Sequence, residues 1–195
     1  MKKIILASGS PRRRELLTQI GISFEVVKAE GEEKITTDDP EEAVKELAMQ
    51  KAQEVAGRVD ADVVIGADTV VAVDGEIMGK PKDPEDAVRM IHSIQGRDHE
   101  VLTGVAVILK KGEVETTINF AETTRVHVFP MTEEEIQAYV ASKEPMDKAG
   151  AYGIQGLFAA YVSGIEGDYN NVVGLPVGRL YQEVKAIADV DLRTL

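Results

Sequence analysis

The apolar positions change their period along the chain, and the changes mark out the secondary structure. Lys3 to Ala7 is a short strand-like run broken by Ser8-Gly9-Ser10-Pro11, after which Leu16, Leu17 and Ile20 recur at helical spacing until Gly21. Ile22 to Ala29 predicts a second strand, followed by an acidic loop from Glu30 to Asp39. Asp39 then supplies an N-cap, Pro40 the first helical position, and Glu41 and Glu42 the charge that suits a helix start, so a helix runs to about Gly57. Two strands, Val63 to Ile65 and Val70 to Val73, are predicted on either side of Gly66-Ala67-Asp68, and Asp74-Gly75 is a tight-turn signal.

A loop rich in Lys and Pro, Gly79 to Pro84, opens into a helix ending near Ile94. Val101 to Leu109 and Glu113 to Phe129 are long strands around Lys111-Gly112, an antiparallel hairpin. Thr132-Glu133-Glu134-Glu135 is a capping box ahead of another helix. A Gly-rich segment, Ala149 to Gly156, precedes a predicted strand near Phe158 to Val162, a polar loop, and a last helix from about Pro176 to Ala188. Helices alternate with strands and one hairpin interrupts the alternation. The expected fold is therefore α/β, a mixed central sheet flanked by helices, in a single domain spanning 1–195 without repeats or a low-complexity linker.

Composition narrows the function. Of 195 residues, 44% are hydrophobic and 29% charged, the balance of a packed domain. Cysteine is absent, which removes disulfide frameworks, thiolate zinc sites and thiol nucleophiles. The formal net charge of −12 repels polyanions on average, so nucleic acid is not an expected partner and any phosphate site must rest on a local cluster of cations. Met1-Lys2-Lys3 leads only into the short run Ile4 to Ala7, too brief for a secretory segment, and no stretch has the length of a membrane span. The expectation is a cytoplasmic protein with no membrane partner.

Against that acidic background, Ser8-Gly9-Ser10-Pro11-Arg12-Arg13-Arg14 places three guanidinium groups in the first turn of a helix whose start already carries partial positive charge. Each costs roughly 0.3–1 kcal/mol. Any one Arg can swing into solvent, and Arg14 is read that way. Arg12 and Arg13, with two Ser hydroxyls and helix-start amides at the carboxyl end of a strand, are read as an anion site. Gly79-Lys80-Pro81-Lys82-Asp83 is not a Walker motif, its glycine spacing being one short and Pro standing where Ser or Thr would be. A Pro-stiffened loop still aims Lys80 and Lys82 in fixed directions for phosphate. Lys51, in mid-helix, reads on its own as a solvated residue.

Asp68 is set among residues that want burial, which favours pairing or metal binding over a surface role. Glu32 and Glu33, in the acidic loop, are weaker candidates for a hard cation that takes a few carboxylates plus water and substrate oxygens. His92, His99 and His127 are isolated, with no His-Glu-x-x-His pair, and are read as structural or exposed. There is no Gly-x-Ser-x-Gly elbow, and Gly150, Gly153 and Gly156 lack the strand-to-helix setting of a dinucleotide fingerprint.

Ala7-Ser8-Gly9-Ser10-Pro11-Arg12-Arg13, Ile65-Gly66-Ala67-Asp68-Thr69-Val70, Gly79-Lys80-Pro81, Asp147-Lys148-Ala149-Gly150-Ala151-Tyr152-Gly153-Ile154-Gln155-Gly156 and Val172-Val173-Gly174-Leu175-Pro176 together resemble the Maf family of nucleoside triphosphate pyrophosphatases, in order over nearly the whole chain. The resemblance implies a fold akin to inosine triphosphatases with a deep cleft between two lobes, frequent homodimers, and hydrolysis of a nucleoside triphosphate to monophosphate and pyrophosphate with a divalent cation, Mg2+ or Mn2+. It implies phosphate binding by Ser8, Arg12 and Arg13, further basic contacts from Lys51 and Lys80, a milder one from Lys82, a central catalytic acid in Asp68, and a metal-associated or catalytic acid in Glu33, with Glu32 adjacent. Gln155 resembles the branch acting on dTTP and UTP, modified pyrimidine nucleotides included. The family's older name, septum formation inhibitor, implies the alternative of a nucleotide-binding regulator of cell division that does not need turnover.

Overall fold

The computed structural model describes residues 2–195. Seven strands, β1 (Ile4–Leu6), β2 (Glu25–Val26), β3 (Val63–Val73), β4 (Glu76–Met78), β5 (Asp98–Lys111), β6 (Val114–Val128) and β7 (Val162–Glu166), form one sheet in the order β2-β1-β3-β5-β6-β7, with β4 also pairing β3. β1 runs parallel to β2 and β3, and the other pairs are antiparallel. The sheet is mixed, as the alternation of elements predicts. Its helices are α1 (Pro11–Gln19), α2 (Pro40–Arg58), α3 (Pro84–Ile94), α4 (Glu133–Ala141), α5 (Tyr169–Val173) and α6 (Val177–Ala188). The polar signals for helix starts act as read: Asp39 accepts from the Glu42 amide at 2.9 Å, Asp83 from the Asp86 amide at 2.8 Å, and Thr132 with Glu135 closes a reciprocal capping box. No helix among the described residues is long and apolar enough to cross a membrane.

Four expectations change. The strand expected over Ile22 to Ala29 shrinks to two exposed residues at the sheet edge. The segment near Phe158 is a 3-10 helix, Leu157–Tyr161, whose Phe158 is fully buried, and the strand follows it at Val162. A short helix, α5, stands in the polar loop, its start capped by Asp168 accepting from the Asn170 amide at 2.8 Å. Most important for the site, Val63 to Val73 is one continuous strand, and Gly66 does not break it.

The reason lies in how α2 meets the sheet. One face packs Leu6, Ile65, Ala67, Val105 and Val107 with the apolar sides of α1, α3, α4 and α6. The other packs Ile5, Val64, Ala106 and Ile108 against Ala48, Ala52 and Val55 of α2. A Cβ on Gly66 would lie 2.3 Å from the Ala48 carbonyl oxygen, and one on Gly104 would lie 2.0 Å from that of Val44. Two glycines on neighbouring strands thus let the helix backbone rest directly on the sheet. On β5, buried His99 hydrogen-bonds Tyr152 at 2.7 Å and so ties the hairpin to the Gly-rich segment; burial holds its pKa down to about 4, keeping the ring neutral.

A gap in the pairing of β3 defines the rest. β1 pairs with Val63 to Ile65 and β4 with Val71 to Val73, so on that side Gly66 to Val70 has no strand beside it. At about 3.3 Å per residue this notch is roughly 16 Å long. Within an otherwise buried strand, Asp68 and Thr69 are the two partly exposed positions.

Replacing Gly104 by Ala should therefore destabilise the protein by at least the ~1–3 kcal/mol typical of overpacking, read as a lower urea midpoint. Gly57→Ala, on an exposed stretch of the same helix with open space around it, should leave stability unchanged or slightly raised.

Candidate active site

Three chain exits converge on the notch. β1 ends at Leu6 opposite Ile65, the Ala7 amide donates to the Ile65 carbonyl at 2.8 Å, and the chain then turns through Ser8-Gly9-Ser10 into α1. β4 runs the other way, from Glu76 opposite Val73 to Met78 opposite Val71, so Gly79 and Lys80 leave it heading into the notch from the far end. The Gly150 amide pins the Gly79 carbonyl at 3.0 Å. β2, parallel to β1, releases the acidic loop carrying Glu33 at the same end of the sheet. The carboxyl ends of adjacent parallel strands are where open α/β sheets place their ligands.

Successive residues of a strand point to opposite faces, so Asp68 and Thr69 open the notch to both. Asp68 lies on the α2 side with Gly66. There the Lys51 ammonium donates to Asp68 Oδ1 and stands 3.0 Å from Glu33 Oε1. Lys51 reaches this point because α2 sits so close to the sheet. The side chains of Lys51 and Asp68 are 16% and 15% exposed and that of Glu33 is 54% exposed, which puts the pair inside and Glu33 at the rim.

On the other face Arg13 is held by three bonds. Its Nη2 donates to Thr69 Oγ1 at 3.0 Å, Nη1 to Ser8 Oγ at 3.1 Å, and Nε to the Gly174 carbonyl at 2.8 Å. Three acceptors around a planar donor leave the guanidinium one orientation. Burial lowers the pKa of Arg13, the negative charges of Asp68 and Glu33 oppose that, and Arg12 reinforces it. The group remains a cation at any physiological pH. The carboxylates on one side of the strand and the guanidinium on the other therefore belong to one electrostatic site. Ser8, itself buried, also accepts from the Ser10 amide at 3.2 Å, and α1 begins with no side-chain cap and no acid in its first turn. Arg12 is partly exposed, with Nη1 3.7 Å from Asp147 Oδ2, and Arg14 is exposed.

The structure thus brings Ser8, Arg13, Lys51, Asp68 and Glu33 together by direct contact and places Arg12 beside them. Lys80 comes to the notch by the path of its backbone; its side chain, like that of Lys82, is exposed and forms no ion pair among the described residues. The Lys82 amide donates to Asp86 Oδ2 at 3.0 Å, which ties it to the start of α3. Gln155 stands exposed on a turn closed by the Gly156 amide and the Gly153 carbonyl at 3.2 Å, and is not brought into contact with the cluster. Glu32 faces away, 3.8 Å from Lys34. A recess of about 450 Å³ lined by Asp74, Arg97, Glu100 and Arg125 includes none of these residues.

A family model described as Maf-like protein matches residues 3–187. This chain belongs to the Maf family. The dTTP/UTP pyrophosphatase of Agathobacter rectalis is 53% identical over 201 residues, covering 96% of this chain and 98% of that protein. The dTTP/UTP pyrophosphatase of Lachnoclostridium phytofermentans is 52% identical over 188 residues, covering 95% of each. The solved structure of the Staphylococcus aureus Ham1 protein aligns at a TM-score of 0.48 and 16% identity over 65% of this chain and 72% of that one, a likeness too loose to bear on the chemistry.

Motifs of the Maf resemblance also contain residues whose part the sequence did not disclose. Thr69 and Gly174 hold Arg13, and Thr69 in turn meets Thr103 of β5 at 2.9 Å. Buried Asn171 fastens α5 to the sheet, its Nδ2 donating to the Val101 carbonyl and to Thr124 Oγ1, each at 3.0 Å. The sequence signal for Thr69 was present, a hydroxyl directly after the acid in an apolar run; nothing local marks Thr103 or Asn171.

The donor set also fits a hard divalent cation. Two carboxylates already converge on one positive charge, the Lys51 ammonium, and magnesium typically takes one or two carboxylates with the remainder from substrate phosphates and water. Among the described residues no cluster of three or more such ligands occurs, in keeping with that division.

A polyanion should bind here without any nucleoside. Inorganic triphosphate at a hundred times its Kd should stabilise the fold by about 2.7 kcal/mol, read as a rise in melting temperature. Arg13→Ala should remove the effect, and Arg14→Ala should keep it.

Proposed function

We propose that this chain is a nucleoside triphosphate pyrophosphatase that hydrolyses dTTP and UTP at the linkage between the α and β phosphates, releasing the monophosphate and pyrophosphate. The observation that carries the reading is the pairing of Asp68 and Arg13 across one strand, an acid on one face and a fixed guanidinium on the other, in a Maf-family chain about half identical to dTTP/UTP pyrophosphatases over nearly its full length. A cytoplasmic setting with abundant nucleotides suits it.

In this mechanism Arg13, Arg12 and Lys80 take the triphosphate tail, with Ser8 and the start of α1 against the terminal phosphates. Their charge is neutralised where the leaving pyrophosphate gains it, so catalysis comes from positioning and electrostatic stabilisation, with no covalent intermediate. Asp68, withdrawn from bulk water, accepts the proton of the water that attacks the α-phosphorus. Lys51 keeps Asp68 ionised and oriented until substrate arrives. Asp68 and Glu33 would hold Mg2+ or Mn2+, which when bound polarises a phosphoryl oxygen and lowers the pKa of a coordinated water. Lys82 supplies a longer-range positive charge. Gln155, exposed on its turn, offers one donor and one acceptor to the O4 and N3–H of uracil or thymine and mismatches the amino group of cytosine.

Purified protein given dTTP, UTP and CTP in turn with Mg2+ or Mn2+ should release pyrophosphate from the first two, with CTP at least about tenfold slower. Asp68→Asn should lower turnover roughly 10²–10⁴-fold while melting as the parent does. Nucleotide binding without pyrophosphate release would instead mark a binding regulator. Near-normal turnover by Asp68→Asn would remove the acid from the mechanism, and equal rates on CTP and UTP would remove Gln155 from base selection.

A further inference from the structure

Arg13 ends a directed chain of hydrogen bonds that runs through the sheet, and the direction can be deduced. The far end is the main-chain carbonyl of Asn171 in α5, which accepts from Thr103 Oγ1 at 3.1 Å. The backbone cannot satisfy that carbonyl itself. The amides of Gly174 and Leu175 both go to Asn170, each at 3.0 Å, and the next residue, Pro176, has no N–H to give. The single hydroxyl proton of Thr103 is therefore committed to Asn171. Thr103 and Thr69 stand directly opposite each other on β5 and β3 with their oxygens 2.9 Å apart, so Thr69 must be the donor in that contact. With its proton spent, Thr69 has only lone pairs left, and the Arg13 Nη2 at 3.0 Å takes one of them.

We propose that Thr103 is a positioning residue for triphosphate binding: by fixing the proton of Thr69 it makes that hydroxyl a pure acceptor and so locks the guanidinium of Arg13. Thr103 is wholly buried in the sheet and acts only through Thr69 and Arg13. Without it the Thr69 proton has one other acceptor in reach, the Gly174 carbonyl 3.5 Å away, which is the oxygen that Arg13 Nε already uses at 2.8 Å. The two donors would then compete, and the guanidinium would lose its single orientation. The inference rests on the proposal that Arg13 grips the substrate's phosphates.

The test is steady-state hydrolysis of UTP by the parent, Thr103→Val, Thr103→Ser and Arg13→Ala, and by Thr103→Val combined with Arg13→Ala. Thr103→Val keeps the shape and removes the hydroxyl. It should raise KM about five- to twentyfold with kcat within about twofold, the size of a lost charge-assisted contact. Thr103→Ser should restore KM to within about twofold of the parent. In the Arg13→Ala background the same Val substitution should change nothing further, since coupled residues are not additive. Should Thr103→Val fold poorly, Thr103→Ala removes the hydroxyl without adding bulk at the buried site. An unchanged KM in a folded Thr103→Val or Thr103→Ala protein, or an equal loss with Arg13 absent, overturns the positioning role. A parent enzyme with no turnover fails the functional proposal instead, and tripolyphosphate binding by the same variants then decides whether Thr103 still governs Arg13: a weakened affinity in Thr103→Val supports it, and an unchanged one overturns it.

Discussion

A strand edge left open over Gly66 to Val70 is the constraint from which the site follows. β3 is long enough to be paired by β1 at one end and β4 at the other, and neither reaches the middle. An open strand edge inside a sheet presents polar backbone that needs partners, and here the space is bordered by the two loops that leave β1 and β4. Because residues alternate across a strand, one short exposed stretch supplies chemistry to both faces at once: an acid toward α2 and a hydroxyl toward α1 and α5. The close seat of α2 on Gly66 and Gly104 belongs to the same design, since it brings Lys51 within reach of Asp68.

Charge explains why the site can be so specific in so acidic a protein. A net charge of −12 discourages polyanions everywhere else, so guanidinium and ammonium groups gathered at one place dominate the local field. They are held, not merely clustered. Arg13 is fixed by Thr69, Ser8 and the Gly174 carbonyl, and Lys51 by two carboxylates. Lys80 and Lys82 stay exposed and mobile in direction, a division between rigid contacts at the floor and adaptable ones at the entrance.

Much of this was legible in the sequence where local rules suffice. The helix starts at Pro40, Pro84 and Thr132 obeyed capping chemistry, and the long hairpin obeyed its turn. The anomaly of Arg12 and Arg13 in a first helical turn pointed to the right loop. Where tertiary packing overrides local signals, the sequence misled. Gly66 looked like a strand break and is a contact point for a helix backbone; Phe158 looked like a strand residue and is the buried anchor of a 3-10 turn. Lys51 looked like a solvated helix residue, because nothing in its neighbours says that the sheet beneath it carries two glycines. Thr103 and Asn171 belong to a network of contacts far apart in the chain, which no local pattern encodes.

The central claim is that the triphosphate tail lies in the notch of β3, with Arg13 on one side of the strand and Asp68 on the other. A crystal structure of the protein with an α,β-imido analogue of UTP, whose bridging nitrogen resists cleavage, addresses it directly. The account predicts phosphate oxygens within hydrogen-bond distance of Arg13 and Ser8 and the α-phosphorus facing Asp68. Phosphates seated instead in the recess beside Arg97 and Arg125, with Arg13 and Asp68 untouched, would contradict it.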